Sequence, residues 1–282
     1  WRYMFGSECV PAGLFTLLIC FVPESPRYLV MTGRDTKAMS VLSRINGFSK
    51  AQEIIADIKA TLTTKTEKLF TYGFMCVFVG IMLSVFQQAV GITAVLYYAP
   101  RIFADMGMGN PMMQTVIMGV INITFTLVAV FTVEKIGRKP LLISGSIGMG
   151  IGAFVVALTF GNSSLNIVTM VALMVYSASF MFSWGPICWV YMAELFPNTI
   201  RGTATAIAVA FQWIFNFIVS SSFVPMFNMH LTNGDDFGHW FTYGLYGIIC
   251  FVAAVFVGKL VPETKGKTLE DMTALWKERM KK

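Results

Sequence analysis

The sequence predicts an all-α membrane protein, and three observations carry that prediction. Charged residues make up only 13% of the 282-residue chain, while 56% are hydrophobic. A soluble domain carries about 25% charged residues, so a chain this depleted cannot cover its own surface in water. Seven apolar runs are long enough to cross a hydrocarbon core of about 30 Å, which takes roughly 20 helical residues. Short runs of alternating polar and apolar residues, the mark of a membrane β-barrel, are absent.

The first run, Met4–Val22, stops at Pro23-Glu24-Ser25-Pro26, because Pro cannot continue a helix. It carries Glu8, and an ionisable group inside a span is a functional candidate. Two amphipathic stretches follow. In Asp35–Ile45 the apolar Ala38, Val41, Leu42 and Ile45 recur at helical spacing, with Asp35 as a plausible N-cap. In Ser49–Leu62, Ile54, Ile55, Ile58 and Leu62 do the same. Both are expected as cytosolic helices under the bundle. The second run, Phe70–Tyr98, exceeds what a span needs and contains Gly91, which predicts a tilt or a break. The remaining runs are Met112–Val133, Leu141–Phe160, Ile167–Tyr191, Ala204–Phe227 and Trp240–Leu260. The polar tail puts Leu269, Met272, Leu275 and Trp276 on one face, as in a surface helix. The expected organisation is a span over 1–22, a cytosolic linker over 23–69, a six-span bundle over 70–261 and a cytosolic tail over 262–282.

Of the 21 basic residues, all but Arg2 and Arg101 fall in alternate connections between spans or from Lys259, at the end of the last span, onward. Positive charge concentrates on the cytoplasmic side, so these connections and the C-terminus are expected there, in a multi-pass membrane protein. The net charge of +6 is then a topology signal, too dispersed for a nucleic-acid partner. Cys9, Cys20, Cys76, Cys188 and Cys250 lie inside spans without a CxxC pair and suit packing, not redox or metal chemistry. The chain starts at Trp1 with no signal peptide, which reads as part of a longer sequence.

Four spans carry polar residues in an organised way, and such groups usually line an interior path. In the second span Gln87 and Gln88 precede Gly91 and Thr93. On a regular helix Thr93 lies far round from both glutamines; a helix loosened at Gly91 brings all three toward one cavity. Inter-helix bonding by the glutamines is the alternative. Thr115, Gly119 and Asn122 form a stripe in the third span, where Asn122 could equally tie helices together. The fifth span holds Ser183-Trp184-Gly185-Pro186-Ile187-Cys188-Trp189, whose Gly-Pro pair predicts a bend. The Trp189 indole offers a flat apolar face and one N–H donor, which suits a sugar, or an interfacial aromatic belt. Gln212, Asn216 and Ser220 line one face of the sixth span beside Trp213. Neutral amides, hydroxyls and indoles imply a small, uncharged, polyhydroxylated ligand.

These motifs resemble those of the sugar porters of the major facilitator superfamily, most closely the bacterial D-xylose–proton symporters. The resemblance rests on Pro23 through Arg27, Gln87 through Thr93, Gly137-Arg138-Lys139, Gly185 through Trp189, Glu194 through Arg201, and Pro262 through Gly266, in that order. It implies the C-terminal six-helix bundle of that fold, one preceding span and cytosolic helices, with family spans one to five outside this sequence. It further implies sugar contacts at Gln87, Gln88, Asn122, Trp189 and Gln212 with Trp213 nearby, and a conformational gate of Arg138, Glu194, Arg201 and Glu263. Glu8 matches a Ser-Glu pair of the symporters and is the candidate for proton coupling. The family usually has Asn where Thr93 stands, which bears on sugar preference.

The expected function is proton-coupled monosaccharide transport by alternating access. A facilitative uniporter and a transport-dead sugar sensor are the alternatives. The expected partners are a monosaccharide, a proton, the lipid bilayer and the N-terminal bundle of the same protein. No cofactor, metal or catalytic site is expected. His230 and His239, flanking Asp235 and Asp236 in the last loop, could make a weak metal site but read as a solvated loop.

Overall fold

The computed structural model describes residues 2–62, 68–107, 110–229, 237–267 and 269–281. Every regular element among them is helical. They group into two compact units, Trp1–Thr66 and Glu67–Lys282.

The first unit opens with α1 (Arg2–Ile19), whose described side chains are exposed. Next come α2 (Pro26–Met31), α3 (Asp35–Asn46) and α4 (Phe48–Leu62). Ser25 caps α2 by accepting from the Tyr28 N–H, and Pro26 suits the first turn, where its missing donor costs nothing. Leu29, Val30, Ala38, Leu42, Ala51 and Ile55 form a small core. Two expectations are corrected. Ile45 is 71% exposed. Arg34, not Asp35, holds the N-cap position of α3; Asp35 lies inside the first turn, where its charge favours the helix dipole, and pairs with Lys59 of α4.

Among the described residues, the second unit holds six helical stretches long and apolar enough to cross a membrane. The first is broken into α5 (Phe74–Ala89) and α6 (Ile92–Asp105). Gly91 sits at the break with φ of 88°, and a Cβ there would lie 2.4 Å from the Tyr246 ring. Only glycine meets both conditions. The Val90 carbonyl at the break accepts the Tyr176 hydroxyl, the kind of repair an interrupted helix needs in hydrocarbon.

The stretches α7 (Pro111–Ile136) and α8 (Arg138–Thr159) follow. The fourth is broken in turn, into α9 (Asn166–Phe182) and α10 (Trp184–Leu195) at Ser183. The interruption precedes the Gly-Pro pair because Pro186 is tolerated in the first turn of a new helix. Then come α11 (Arg201–Phe227), α12 (Phe237–Leu260) and α13 (Leu269–Lys281).

α8 packs against α9 and α12, and α5 against α11. Gly145 lets α8 approach the second break closely, since a Cβ there would sit 1.7 Å from Ser183 Oγ. Burial is uneven: 72% of the most apolar window of the α5–α6 stretch is inside, against 11% for α7. Most outward residues of α7 are apolar, among them Val116, Val120, Ile123 and Leu127, a surface suited to lipid or to another apolar helix.

The tail is not a loose surface helix. Met272 and Trp276 of α13 are 1% exposed, and the Trp276 indole donates to the Leu195 carbonyl at 3.1 Å. Cys76, Cys188 and Cys250 are packed inside, whereas Cys9 and Cys20 are exposed. Of the last-loop residues, His230, Asp235 and Asp236 lie outside the described residues. His239 lies between Phe160 and Phe227, at centroid distances of 4.4 and 4.2 Å, its ring tilted by 51° and 55° against theirs.

Candidate functional site

The two helix breaks face one cavity of about 440 Å³. Its lining includes Gln87, Gln88, Thr93, Trp189, Gln212 and Trp213, with Gly185 and Pro186 from the second break. Each arrives for a local reason. Gln87 and Gln88 end α5, and the left-handed turn at Gly91 swings Thr93 back onto them: its hydroxyl donates to Gln88 Oε1 at 2.7 Å. Asn216, one turn beyond Gln212 on α11, donates to the same oxygen at 3.0 Å. Gln88 Nε2 donates to Gln87 Oε1 at 3.4 Å. Gln87 Nε2 in turn reaches the Trp184 and Gly185 carbonyls at 3.2 and 3.4 Å. Gln212 Oε1 is buried without a hydrogen-bond partner.

Asn122 is placed differently. Its Oδ1 accepts the Ser177 hydroxyl at 2.7 Å, tying α7 to α9. Thr126, one turn further along the same face, lines the cavity instead. Phe180 and Met181 also line it. Neither Thr126 nor these two stands out in the sequence, although the four-residue step from Asn122 to Thr126 keeps to one helical face. Glu8 is exposed on α1 in the first unit.

A second polar group gathers the ends of α7, α8 and α10 with the segment after α12. The Arg138 guanidinium, whose side chain is 7% exposed, holds Glu194 at 2.7 and 3.1 Å and Glu134 at 2.7 and 3.2 Å. Glu194 also accepts the Thr264 hydroxyl at 2.6 Å. Glu263 accepts four backbone N–H groups, from Arg138 at 3.1 Å and from Lys139, Thr264 and Lys265 at 2.9 Å each. Two of these donors open α8, whose N-cap residue is Gly137 and has no side chain to offer. Burial pushes the Glu263 carboxyl up, but the four donors outweigh it and hold it below its ordinary value. The Tyr191 hydroxyl donates to the Pro262 carbonyl.

Arg138, Glu194 and Glu263 thus meet, as the resemblance implies. The Arg201 guanidinium donates to the Phe196 carbonyl at 3.2 and 3.3 Å. It lines a separate groove of about 820 Å³ with Trp189 and Trp213. Glu134 and Thr264 complete the cluster; the four-residue spacing of Glu134 and Arg138 is the sequence signal for the first of them.

A multi-span helical protein with a neutral polar cavity between two broken helices is the class that fold and site define. The chain belongs to the sugar (and other) transporter family, whose sequence profile matches residues 1–276. It is 47% identical to the D-xylose-proton symporter of Escherichia coli K12 over 287 residues, covering 100% of this chain and 58% of that protein. It is 36% identical to the glucose facilitated diffusion protein of Zymomonas mobilis, covering 98% of this chain and 60% of that one. A solved proton:xylose symporter of the major facilitator superfamily, bound to 6-bromo-6-deoxy-D-glucose, superposes with a TM-score of 0.83 at 46% identity. That match covers 98% of this chain and 59% of the other. The chain therefore spans about three fifths of the length of the relatives it matches.

Proposed function

We infer that this protein carries a monosaccharide, D-xylose or a related pentose or hexose, across a bacterial inner membrane by alternating access. The observation that carries the inference is the buried, unpartnered Gln212 carbonyl in a cavity walled by Trp189 and Trp213. An unmet buried acceptor costs about 1–3 kcal/mol. A sugar hydroxyl meets it, while the indoles cover the sugar's C–H faces. No charged side chain is among the cavity's described lining residues, which favours a neutral ligand.

In this reading Gln87, Gln88, Gln212, Trp189 and Trp213 touch the sugar, and Thr93 and Asn216 act through Gln88. Asn122 holds α7 beside the cavity. Arg138, Glu194, Glu263 and Arg201 hold one conformation closed on the cytoplasmic side, where the basic connections and the C-terminus lie. Residues 1–22 form a span, 23–69 a cytosolic linker, 70–261 the six-span bundle and 262–282 a cytoplasmic tail.

Proton coupling, with Glu8 as its candidate group, is supported by the relative named a D-xylose-proton symporter. The relative named a glucose facilitated diffusion protein supports uniport instead. Reconstitution of the full-length gene product in liposomes with labelled D-xylose separates the two. Uphill uptake driven by an imposed pH gradient and lost with an uncoupler establishes symport. Uptake indifferent to the gradient establishes uniport. The absence of saturable uptake and binding for every pentose and hexose tried would remove the sugar assignment.

A further inference from the structure

The amides at the first break form a relay whose direction is fixed from one end. The Trp184 and Gly185 carbonyls are backbone acceptors and cannot be turned round. Gln87 must therefore present its NH₂ to them, at 3.2 and 3.4 Å, which turns its Oε1 toward Gln88. Gln88 must answer with Nε2, at 3.4 Å, and so its own Oε1 faces the other way. Thr93 and Asn216 then both act as donors to that oxygen, at 2.7 and 3.0 Å. Reversing any one amide would set donor against donor or acceptor against acceptor along the whole line. Two donors occupy the two lone pairs of Gln88 Oε1. What Gln88 has left for a ligand is its second N–H. Gln212 is the opposite case, a buried oxygen with no donor.

We propose that Thr93 is a positioning residue that, together with Asn216, saturates Gln88 Oε1 and so holds Gln88 in the donor orientation imposed from the Trp184 and Gly185 carbonyls; the cavity then reads one sugar oxygen as an acceptor at Gln88 and another hydroxyl as a donor at Gln212. This rests on the sugar-binding function proposed above. Thr93 does not need to touch the sugar; it occupies the Gln88 oxygen and leaves the N–H for the ligand.

Fluorine accepts hydrogen bonds weakly and cannot donate them, so monodeoxy and monodeoxyfluoro analogues of D-xylose report the polarity of each contact. Calorimetry on the full-length gene product should find one sugar position where fluorine is tolerated and hydrogen is not. It should find another where both replacements weaken binding alike. Thr93→Val should lower D-xylose affinity roughly three- to tenfold and erase the fluoro-versus-deoxy difference at the first position only. Thr93→Ser, which keeps the hydroxyl, should restore both. A loss in Thr93→Ser as large as in Thr93→Val, or a loss in Thr93→Val spread evenly over all positions, overturns the proposal. The sugar-free protein supplies a second readout. The Gln88 side-chain amide resonance should move in Thr93→Val and stay in Thr93→Ser. If it does so while no sugar binds the wild type, the relay stands and the sugar function fails, taking the donor role with it. An amide resonance unmoved in Thr93→Val overturns the relay whatever the protein binds.

Discussion

α10 carries two polar regions of opposite character. Its first turns supply Gly185, Pro186 and Trp189 to the cavity, and its last turn supplies Glu194 to the charge cluster. At 1.5 Å per residue, Pro186 and Glu194 are about 12 Å apart along the helix. In the cavity every polar group is neutral, and bonding capacity is left over at Gln212 and Gln88. In the cluster the acceptors are charged and well supplied: Arg138 spans two carboxylates, and Glu263 takes four N–H groups. A region with spare capacity can admit a ligand and exchange it. A saturated region resists opening, and whatever separates it must replace all of its bonds together.

The largest effect expected tests the frame that both regions share. Gly91→Ala adds left-handed strain of about 1–2 kcal/mol and a clash with Tyr246 worth about 1–3 kcal/mol more. Thermal unfolding in detergent should show a large drop. Gly33→Ala, also at positive φ but with nothing within 4 Å, should show only the strain component. Equal drops would mean that the close approach to Tyr246 contributes nothing.

Truncating the cavity amides comes next. Gln88→Ala or Gln212→Ala should weaken D-xylose binding by about 1–3 kcal/mol, roughly 5- to 150-fold, with thermal stability little altered for Gln212. Calorimetry on both variants decides it, and unchanged affinity in both would take the ligand out of this cavity.

The cluster should behave in the reverse way. Arg138→Ala should cut uptake by about tenfold or more while affinity stays within about twofold, because pairs made in one state bias an equilibrium only by their differential energy. Uptake and binding measured on one preparation test this. Loss of affinity in step with uptake would merge the two regions into one.

The smallest effect concerns pH. The Glu263 carboxyl is held below its ordinary value of 4.5. The stability it contributes is therefore complete above that value and is lost as pH falls through the lower, folded-state value. Unfolding followed from neutral to acidic pH should show a steeper acid loss for the wild type than for Glu263→Gln. Parallel curves would show that the charge on Glu263 is immaterial to the cap.

Much of this was legible where a single residue leaves little choice. Gly91 announced the first break, and a break was the condition for Thr93 to join Gln87 and Gln88. The Gly-Pro pair placed the second break to within two or three residues; the shift to Ser183 follows from Pro being a good helix starter. Partners supplied by tertiary structure were harder to read. Ser177 on Asn122, Thr264 on Glu194 and the burial of Trp276 depend on helices meeting, and an amphipathic tail reads alike whether it floats or docks. Asp35 was misplaced by a single position, since an acidic residue favours the cap and the first turn for related reasons.

The Glu263 cap also has a consequence for how the protein is made. The carboxylate that completes the first turn of α8 lies 125 residues downstream of Arg138. At roughly 5–20 residues per second on the ribosome, α8 waits roughly 6–25 s after its own synthesis for the group that closes its amino end. Until then the Arg138 and Lys139 amides must find water or lipid headgroups, which holds that end of the helix at the bilayer surface. A nascent chain that ends short of Glu263 leaves the start of α8 still open.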